Sequence, residues 1–409
     1  MHNYDVIIAG AGPAGCATAL QLHKLDPHLV SRVLLLDKAI FPRPKLCAGA
    51  VSPSGESVLN SFGVDFDFPV VPIHLTRFVL PTGVLAFQKL NQLRIVRREQ
   101  LDHHLFRAAL NCGITTREGE AVQDVARTSD SVIVQTSRNE YRTKILIAAD
   151  GANSVVRTRL GLSRVGRIMV GLEIHAPLAD ASIPDFVDNT IVVDFAPLSH
   201  DLPGYCWIFP TAYEKSSIIS LGIAAAPFGR EVANSVKTVF ARWLRKLGLD
   251  LNAFDLKAHP ALRYEPRAAC HQDRVLFVGD AAGVEPLFGE GISSAVILGT
   301  IAARAGFDSL RTRDFSFADY EKQIRASSIG SMMRRRQMIA RRLYTKPKLA
   351  QLYFQQKAFF RGIALLSAAY PGRRLVGSHA LAINLNTVHT TCVRLASHRY
   401  FRQPNYNQL

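Results

Sequence analysis

Apolar and polar positions alternate along this chain in two rhythms, one that suits buried strands and one that suits helices. Tyr4-Asp5-Val6-Ile7-Ile8-Ala9 is a short apolar run of the kind a strand buried on both faces needs. Small residues at Gly10 to Gly15 follow, and residues 16–22 then place small and apolar side chains at helical spacing. A second apolar run, 32–36, ends at Asp37. The strand-to-turn pattern recurs at 144–149 before Asp150-Gly151, and at 275–278 before Gly279-Asp280. Residues 286–292 read as a loop feeding a helix through the small, apolar stretch 293–303. The intervening segments are β-rich. Runs 78–80 and 84–87 flank Pro81-Thr82-Gly83, a hairpin signal, and 191–195 and 217–223 are further strands. Residues 235–247 read as a helix, and the chain from about 311 onward reads as helical, with apolar residues at 349, 352, 353, 359, 360, 363 and 366 tracing one face. Strands alternating with helices predict an α/β fold.

Composition narrows the class. The 409 residues are 48% hydrophobic and 20% charged, which excludes disorder and leaves room for two or three domains. Six cysteines (16, 47, 112, 206, 270 and 392) contain no CxxC pair, so a disulfide scaffold is excluded and a clustered structural zinc site is not expected. Their usage fits a reducing compartment. The chain opens on a strand with no basic flank, so no signal peptide is expected and the expected location is cytoplasmic. The longest uncharged stretch, 375–393, is broken by His379, Asn384, Asn386 and His389, so no membrane span is expected. Lys and Arg exceed Asp and Glu by 49 to 33, a net +16 that draws anions. No recognition motif accompanies that charge, so nucleic acid is not an expected partner. Arg334-Arg335-Arg336 and Arg341-Arg342 precede aromatic-rich residues, which makes the C-terminal region either a candidate for peripheral membrane contact or a helical cap with a solvated charged side.

The first forty residues carry a specific chemistry. Gly10-Ala11-Gly12-Pro13-Ala14-Gly15 is a G-x-G-x-x-G between strand and helix. Gly10 permits the tight turn, Gly12 lets a pyrophosphate approach the backbone, and Gly15 lets helix and strand pack closely. The helix N-terminus offers free N–H groups to phosphates, and Asp37 can accept from a ribose hydroxyl. Asp150 and Asp280 sit at the C-terminal ends of predicted strands, where α/β proteins bind ligands. Tyr205, Trp207 and Phe209 project to one face if extended, as an aromatic wall for an apolar substrate or as a plain core face. Cys47 reads either as a small buried hydrophobe or as a proton donor and redox sensor.

These three motifs, in this order, resemble the flavoprotein superfamily with the hydroxybenzoate-hydroxylase fold. The resemblance implies a Rossmann-like FAD-binding domain with an inserted β-sheet substrate domain and a C-terminal helical region. The cofactor domain is expected at 1–70, 95–165 and 268–310, the substrate sheet at 71–94 and 166–267, and the basic helical region at 311–409. FAD is the implied cofactor. Gly10, Gly12, Pro13, Ala14, Gly15, Asp37 and Lys38 match its adenosine and pyrophosphate end. Asp150 and Gly151 match the middle motif. Gly279 and Asp280 match the ribityl contact, and Pro286, Gly289, Gly291 and Ile292 match the loop beside the ring. Arg98 matches an arginine that borders the cofactor, and Val122 completes the implied set.

Two segments are similar to the geranylgeranyl reductase family. Pro42-Arg43-Pro44-Lys45-Leu46-Cys47-Ala48-Gly49 resembles its Arg-x-Lys-x-Cys-Gly-Gly segment, with Ala48 where the family usually has Gly, which adds Arg43, Lys45 and Ala48 to the cofactor contacts. Tyr205-Cys206-Trp207-Ile208-Phe209-Pro210 resembles its Tyr-x-Trp-x-Phe-Pro motif. The implied activity is hydride transfer from reduced flavin to carbon–carbon double bonds of an isoprenoid-like or other apolar substrate, with Cys47 and Glu290 as candidate proton carriers. A monooxygenase or halogenase acting on an aromatic or polyketide-like substrate is the alternative, because the aromatic motif also resembles the halogenases' Trp-x-Trp-x-Ile-Pro. A third reading makes docking through the basic tail the main role. No second G-x-G-x-x-G exists, so NAD(P)H or a donor protein is expected to bind transiently. No metal is expected.

Overall fold

The computed structural model describes residues 2–81, 83–162, 168–183, 186, 189–212, 217–226 and 233–345. The predicted helical face at 349–366 and the uncharged stretch 375–393 lie outside the described residues. The strands in chain order are β1 (His2–Ala9), β2 (Val33–Leu36), β3 (Ala50–Val51), β4 (Val70–Leu80), β5 (Gly83–Val96), β6 (Thr115–Arg117), β7 (Val122–Arg127), β8 (Val132–Thr136), β9 (Glu140–Ala148), β10 (Ile168–Pro177), β11 (Thr190–Asp194), β12 (Gly204–Pro210), β13 (Ile218–Ala225), β14 (Lys257–Leu262), β15 (His271–Gln272) and β16 (Val275–Phe277). The α-helices are α1 (Pro13–Leu25), α2 (Pro53–Asn60), α3 (Arg98–Asn111), α4 (Val155–Arg159), α5 (Ala233–Lys246), α6 (Ile292–Thr312), α7 (Tyr320–Ala326) and α8 (Ser328–Thr345).

The first sheet runs β15-β16-β9-β1-β2-β6, with β8 pairing to β9 and β7 to β8. Its central pairings are parallel, Ile8 lying opposite both Leu35 and Ile147. The continuous apolar run at the start of β1 is explained by burial on both faces. Val6 and Ile8 join α1, α3 and α6 in one core, while Ile7 and Ala9 join Val132 and Val134 of β8 and Val156 of α4 in another. Helix α6 lies tight on α1, because a Cβ on Gly299 would stand 2.5 Å from the Ala14 carbonyl oxygen.

The second sheet runs β14-β10-β13-β12-β11-β4-β5-β3, antiparallel except where β11 meets β4. The predicted hairpin is present, Leu80 pairing with Gly83. The short β3 at 50–51 belongs to this sheet, Ala50 lying opposite Ile95. Strand β12 is buried on both faces. Cys206 and Ile208 pack with Phe240 and Leu244 of α5, whereas Tyr205, Trp207 and Phe209 share the other core with Phe78, Ile191 and Val193. Each such buried side chain contributes about 1.5–3 kcal/mol from water removal.

Helix α8 joins the two cores. Met332 and Met333 pack into the first, and Ala340, Leu343 and Tyr344 into the second. Among the described residues no helix is long and apolar enough to cross a membrane.

Candidate functional site

A cavity of about 920 Å³ opens between the two sheets, within the size range of cofactor and ligand sites. At one end lies the glycine-rich turn. Gly10 has φ +104, and a Cβ on Gly15 would stand 1.8 Å from the Gly10 carbonyl oxygen, so the turn and the packing require those two glycines. A Cβ on Gly12 would meet only the Arg43 guanidinium, at 3.8 Å, so the backbone there faces open space. Asp37 directly follows β2 and accepts from the amides of Ala11 and Ala39, both at 2.8 Å. Those bonds tie the second strand to the turn and leave carboxylate lone pairs over. Lys38 and Val122 also line this end.

Arg43 and Arg98 converge on Asp102. Arg98 donates twice to the carboxylate at 2.8 Å, and the Arg43 guanidinium lies 3.1 Å away. Asp102 is wholly buried and was not marked by its position in the sequence. Burial works against the Arg98 charge, but the Asp102 carboxylate outweighs it and raises its pKa above the ordinary value. Two cations on one anion leave net positive charge beside the glycine turn, which favours a phosphate group.

Asp150 and Gly151 line the middle of the cavity, as do Gly279 and Asp280. Asp150 Oδ2 accepts from the Val156 amide at 3.1 Å, whereas Oδ1 is buried without a partner. Burial pushes its carboxyl up. Arg157 holds the Gly279 turn by donating to the Ala281 carbonyl at 3.1 Å. The cleft therefore has the parts a dinucleotide requires: a bare backbone turn, a basic cluster, an acid after β2 and an orphaned carboxylate oxygen.

The remaining cavity is walled by aromatic side chains. Tyr205 and Trp207 ring centroids lie 6.2 Å apart, and Phe209 follows on the same strand face. The Tyr205 hydroxyl donates to the Phe288 carbonyl. Trp207 Nε1 donates to Ser220 Oγ at 3.0 Å, and Ser220 donates to Glu173 at 2.7 Å. Gly222 makes room for the indole, since a Cβ there would lie 2.0 Å from the ring. Glu173 and His259, also cavity-lining, were not singled out in the sequence, because strands β10 and β14 carry no motif.

Lys45 Nζ lies 3.2 Å from His259 Nε2. Burial and the neighbouring Lys45 charge push His259 down to about 4, and burial and Arg98 lower Lys45. Cys47 opens onto the cavity, its sulfur accepting from the Gly49 amide at 3.4 Å. Burial by the surrounding protein pushes its thiol up, against the pull of Arg98, so it is neutral at ordinary pH. Ala48 lines the same wall.

The loop after Asp280 brings Gly289, Glu290, Gly291 and Ile292 to the cavity. Gly15 and Pro286 do not line it and instead pack behind the wall. The Glu290 carboxylate, named as a candidate proton carrier, is paired with Arg336 at 2.8 Å. The basic run at 334–336 requires a correction. Arg336 is not a solvated charge but is buried, lines the cavity and also lies 3.3 Å from the buried Glu285. Glu285 accepts from the amides of Leu287 at 2.6 Å and Phe288 at 2.8 Å, and Tyr344 donates to the Leu287 carbonyl at 2.9 Å.

The family model described as an FAD binding domain matches residues 3–297. The digeranylgeranylglycerophospholipid reductase of Methanocaldococcus jannaschii is 28% identical, over 78% of this chain and 82% of its own. The geranylgeranyl diphosphate reductase of Rhodobacter capsulatus is 27% identical, over 76% of each chain. Among solved structures, a geranylgeranyl bacteriochlorophyll reductase-like protein from Thermoplasma acidophilum superposes with TM-score 0.72 at 21% identity, over 89% of this chain and 96% of that one. The flavin-dependent halogenase CmlS superposes with TM-score 0.67 at 21% identity, over 98% of this chain and 71% of that one.

Proposed function

Because the chain belongs to the FAD-binding domain family, we propose that it is an FAD-dependent reductase of carbon–carbon double bonds in an isoprenoid-like apolar substrate. One observation carries the reading: a single cavity is bordered at one end by a dinucleotide cradle and at the other by Tyr205, Trp207 and Phe209. The relatives named as reductases of geranylgeranyl compounds support it.

FAD bound here supplies a hydride when reduced, and the protein supplies orientation and water exclusion. The glycine turn, Arg43 and Arg98 would hold its diphosphate, Asp37 a ribose hydroxyl and Asp280 the ribityl chain, with Asp150 lining the middle of the cradle. Gly289 and Gly291 would present backbone beside its ring. The aromatic wall binds the alkene-bearing chain by apolar contact. The neutral Cys47 thiol holds a proton at Sγ, facing the substrate space. NAD(P)H or a donor protein serves as transient reductant. The exposed Arg335, Arg341 and Arg342 of α8 offer a basic face toward a membrane surface.

Purified protein is expected to show oxidised-flavin absorption. Reduced with dithionite and given a geranylgeranyl lipid, it is expected to yield product with two added hydrogens per double bond. An unchanged lipid, with oxygen consumption stimulated by an aromatic substrate instead, overturns the assignment in favour of an oxygenase or halogenase.

A further inference from the structure

Away from the cavity, three side chains of metal-binding type converge although they are far apart in the chain. His271 begins β15 on the edge of the first sheet, Cys270 directly precedes it, and Glu321 lies in the first turn of α7. One ligand atom from each lies within 4.8 Å of the others. None of the three lines the cavity. Glu321 is 51 residues beyond Cys270, so no short motif marks the cluster in the sequence.

The geometry is that of ligands around a common ion rather than of groups bonded to one another. His271 Nδ1 is buried and takes no hydrogen bond, and its distance to Glu321 Oε1 is 3.7 Å, too long for one. Around a tetrahedral ion with bonds of about 2.0–2.3 Å, neighbouring ligand atoms stand roughly 3.3–3.7 Å apart. The His–Glu separation meets that spacing, and the sulfur reaches it with a movement of about 1 Å, within the freedom of one χ1 adjustment. The carboxylate is already held. Glu321 Oε1 receives the Cys270 amide at 3.4 Å, while Oε2 faces Arg325 at 3.7 Å. Such outer contacts orient a ligand without using the lone pair that faces the ion. Arg325 opposes a cation, and the two negative charges of thiolate and carboxylate offset it.

We propose that Cys270, His271 and Glu321 bind one divalent transition-metal ion, of which Zn²⁺ best suits a sulfur, nitrogen and oxygen set, with water as fourth ligand. On binding, the Cys270 S–H gives its proton to solvent and a metal–sulfur bond forms, with no change of oxidation state. The ion ties the edge strand that precedes the Gly279-Asp280 turn to the first turn of α7. Its role is to fasten the C-terminal helices to the cofactor sheet.

The test uses the untagged full-length flavoprotein, stripped with a chelator and titrated with Co²⁺. One equivalent is expected to produce long-wavelength d–d absorption beyond the flavin bands, together with a thiolate-to-cobalt charge-transfer band. Zn²⁺ at about a hundredfold over Kd should raise Tm by roughly 5 °C. Cys270→Ser should abolish the charge-transfer band, and Glu321→Gln and His271→Ala should each weaken binding at least about tenfold, while Cys112→Ser keeps the full spectrum. If Cys270→Ser fails to fold, the other two variants decide by the same titration. Binding below one equivalent, or a charge-transfer band that survives Cys270→Ser, overturns the assignment.

Discussion

Asp102 has no exposed surface and holds two guanidinium groups, so its removal leaves two cations facing each other inside the protein. Asp102→Ala is expected to cost about 3–5 kcal/mol in denaturant unfolding, because the buried charges lose their directly bonded counterion. A loss below about 1 kcal/mol shows that water compensates instead. Gly222→Ala pushes a Cβ into the Trp207 indole and should cost about 1–3 kcal/mol by overpacking while shifting substrate KM more than cofactor retention. His259 supplies a pH dependence. Its folded pKa of about 4 lies below an unfolded value near ~6.5, so the unfolded chain takes up the proton first as pH falls. Stability present above pH ~6.5 is therefore lost on the way down to about 4, and His259→Asn should flatten that slope in a series of unfolding curves. The glycine turn and Asp37 were legible in the sequence because their geometry is local. Asp102, Glu173 and His259 were not, because a lone polar residue on a helix or strand gains its meaning only from what the fold sets opposite.

At the scale of elements, β1, α1 and β2 followed directly from apolar period and turn chemistry, and helix α5 was foreseen within two residues of its observed start, Ala233. Helix α8 was misread. Both readings of its arginines, membrane-facing or the solvated side of a cap, put them outward, yet in a helix Arg335 and Arg336 point about 100° apart, and the second enters the core. Helix α8 holds the loop at residues 285–291 through the Arg336 pairs and the Tyr344 hydroxyl. Tyr344→Phe should cost about 1 kcal/mol, the worth of one buried hydrogen bond. Arg336→Met leaves Glu285 and Glu290 without that countercharge and should release FAD more readily, which dialysis followed by visible absorption would detect. Unchanged retention shows that the loop holds its shape without α8.

At the scale of the molecule, the two sheets enclose one cavity, and the two tryptophans report on opposite sides of the second sheet. Trp207 lines the cavity, whereas Trp243 donates to Asp194 from α5 at 2.8 Å. A Trp243→Phe variant keeps a single indole, whose emission should change when a long apolar alkene is added. No change places the chain elsewhere. Which segment lines the cavity was legible from the motif, but the enclosure was not, because pairings such as β11 with β4 join residues more than a hundred positions apart. The alternation along β12 has a further consequence for how such a pocket can diversify. Cys206 and Ile208 anchor the strand from behind, so positions 205, 207 and 209 can be retuned for length or bulk of a new guest while the scaffold stays intact. A one-residue insertion upstream would instead turn the strand over, exchanging lining for anchor and erasing both at once.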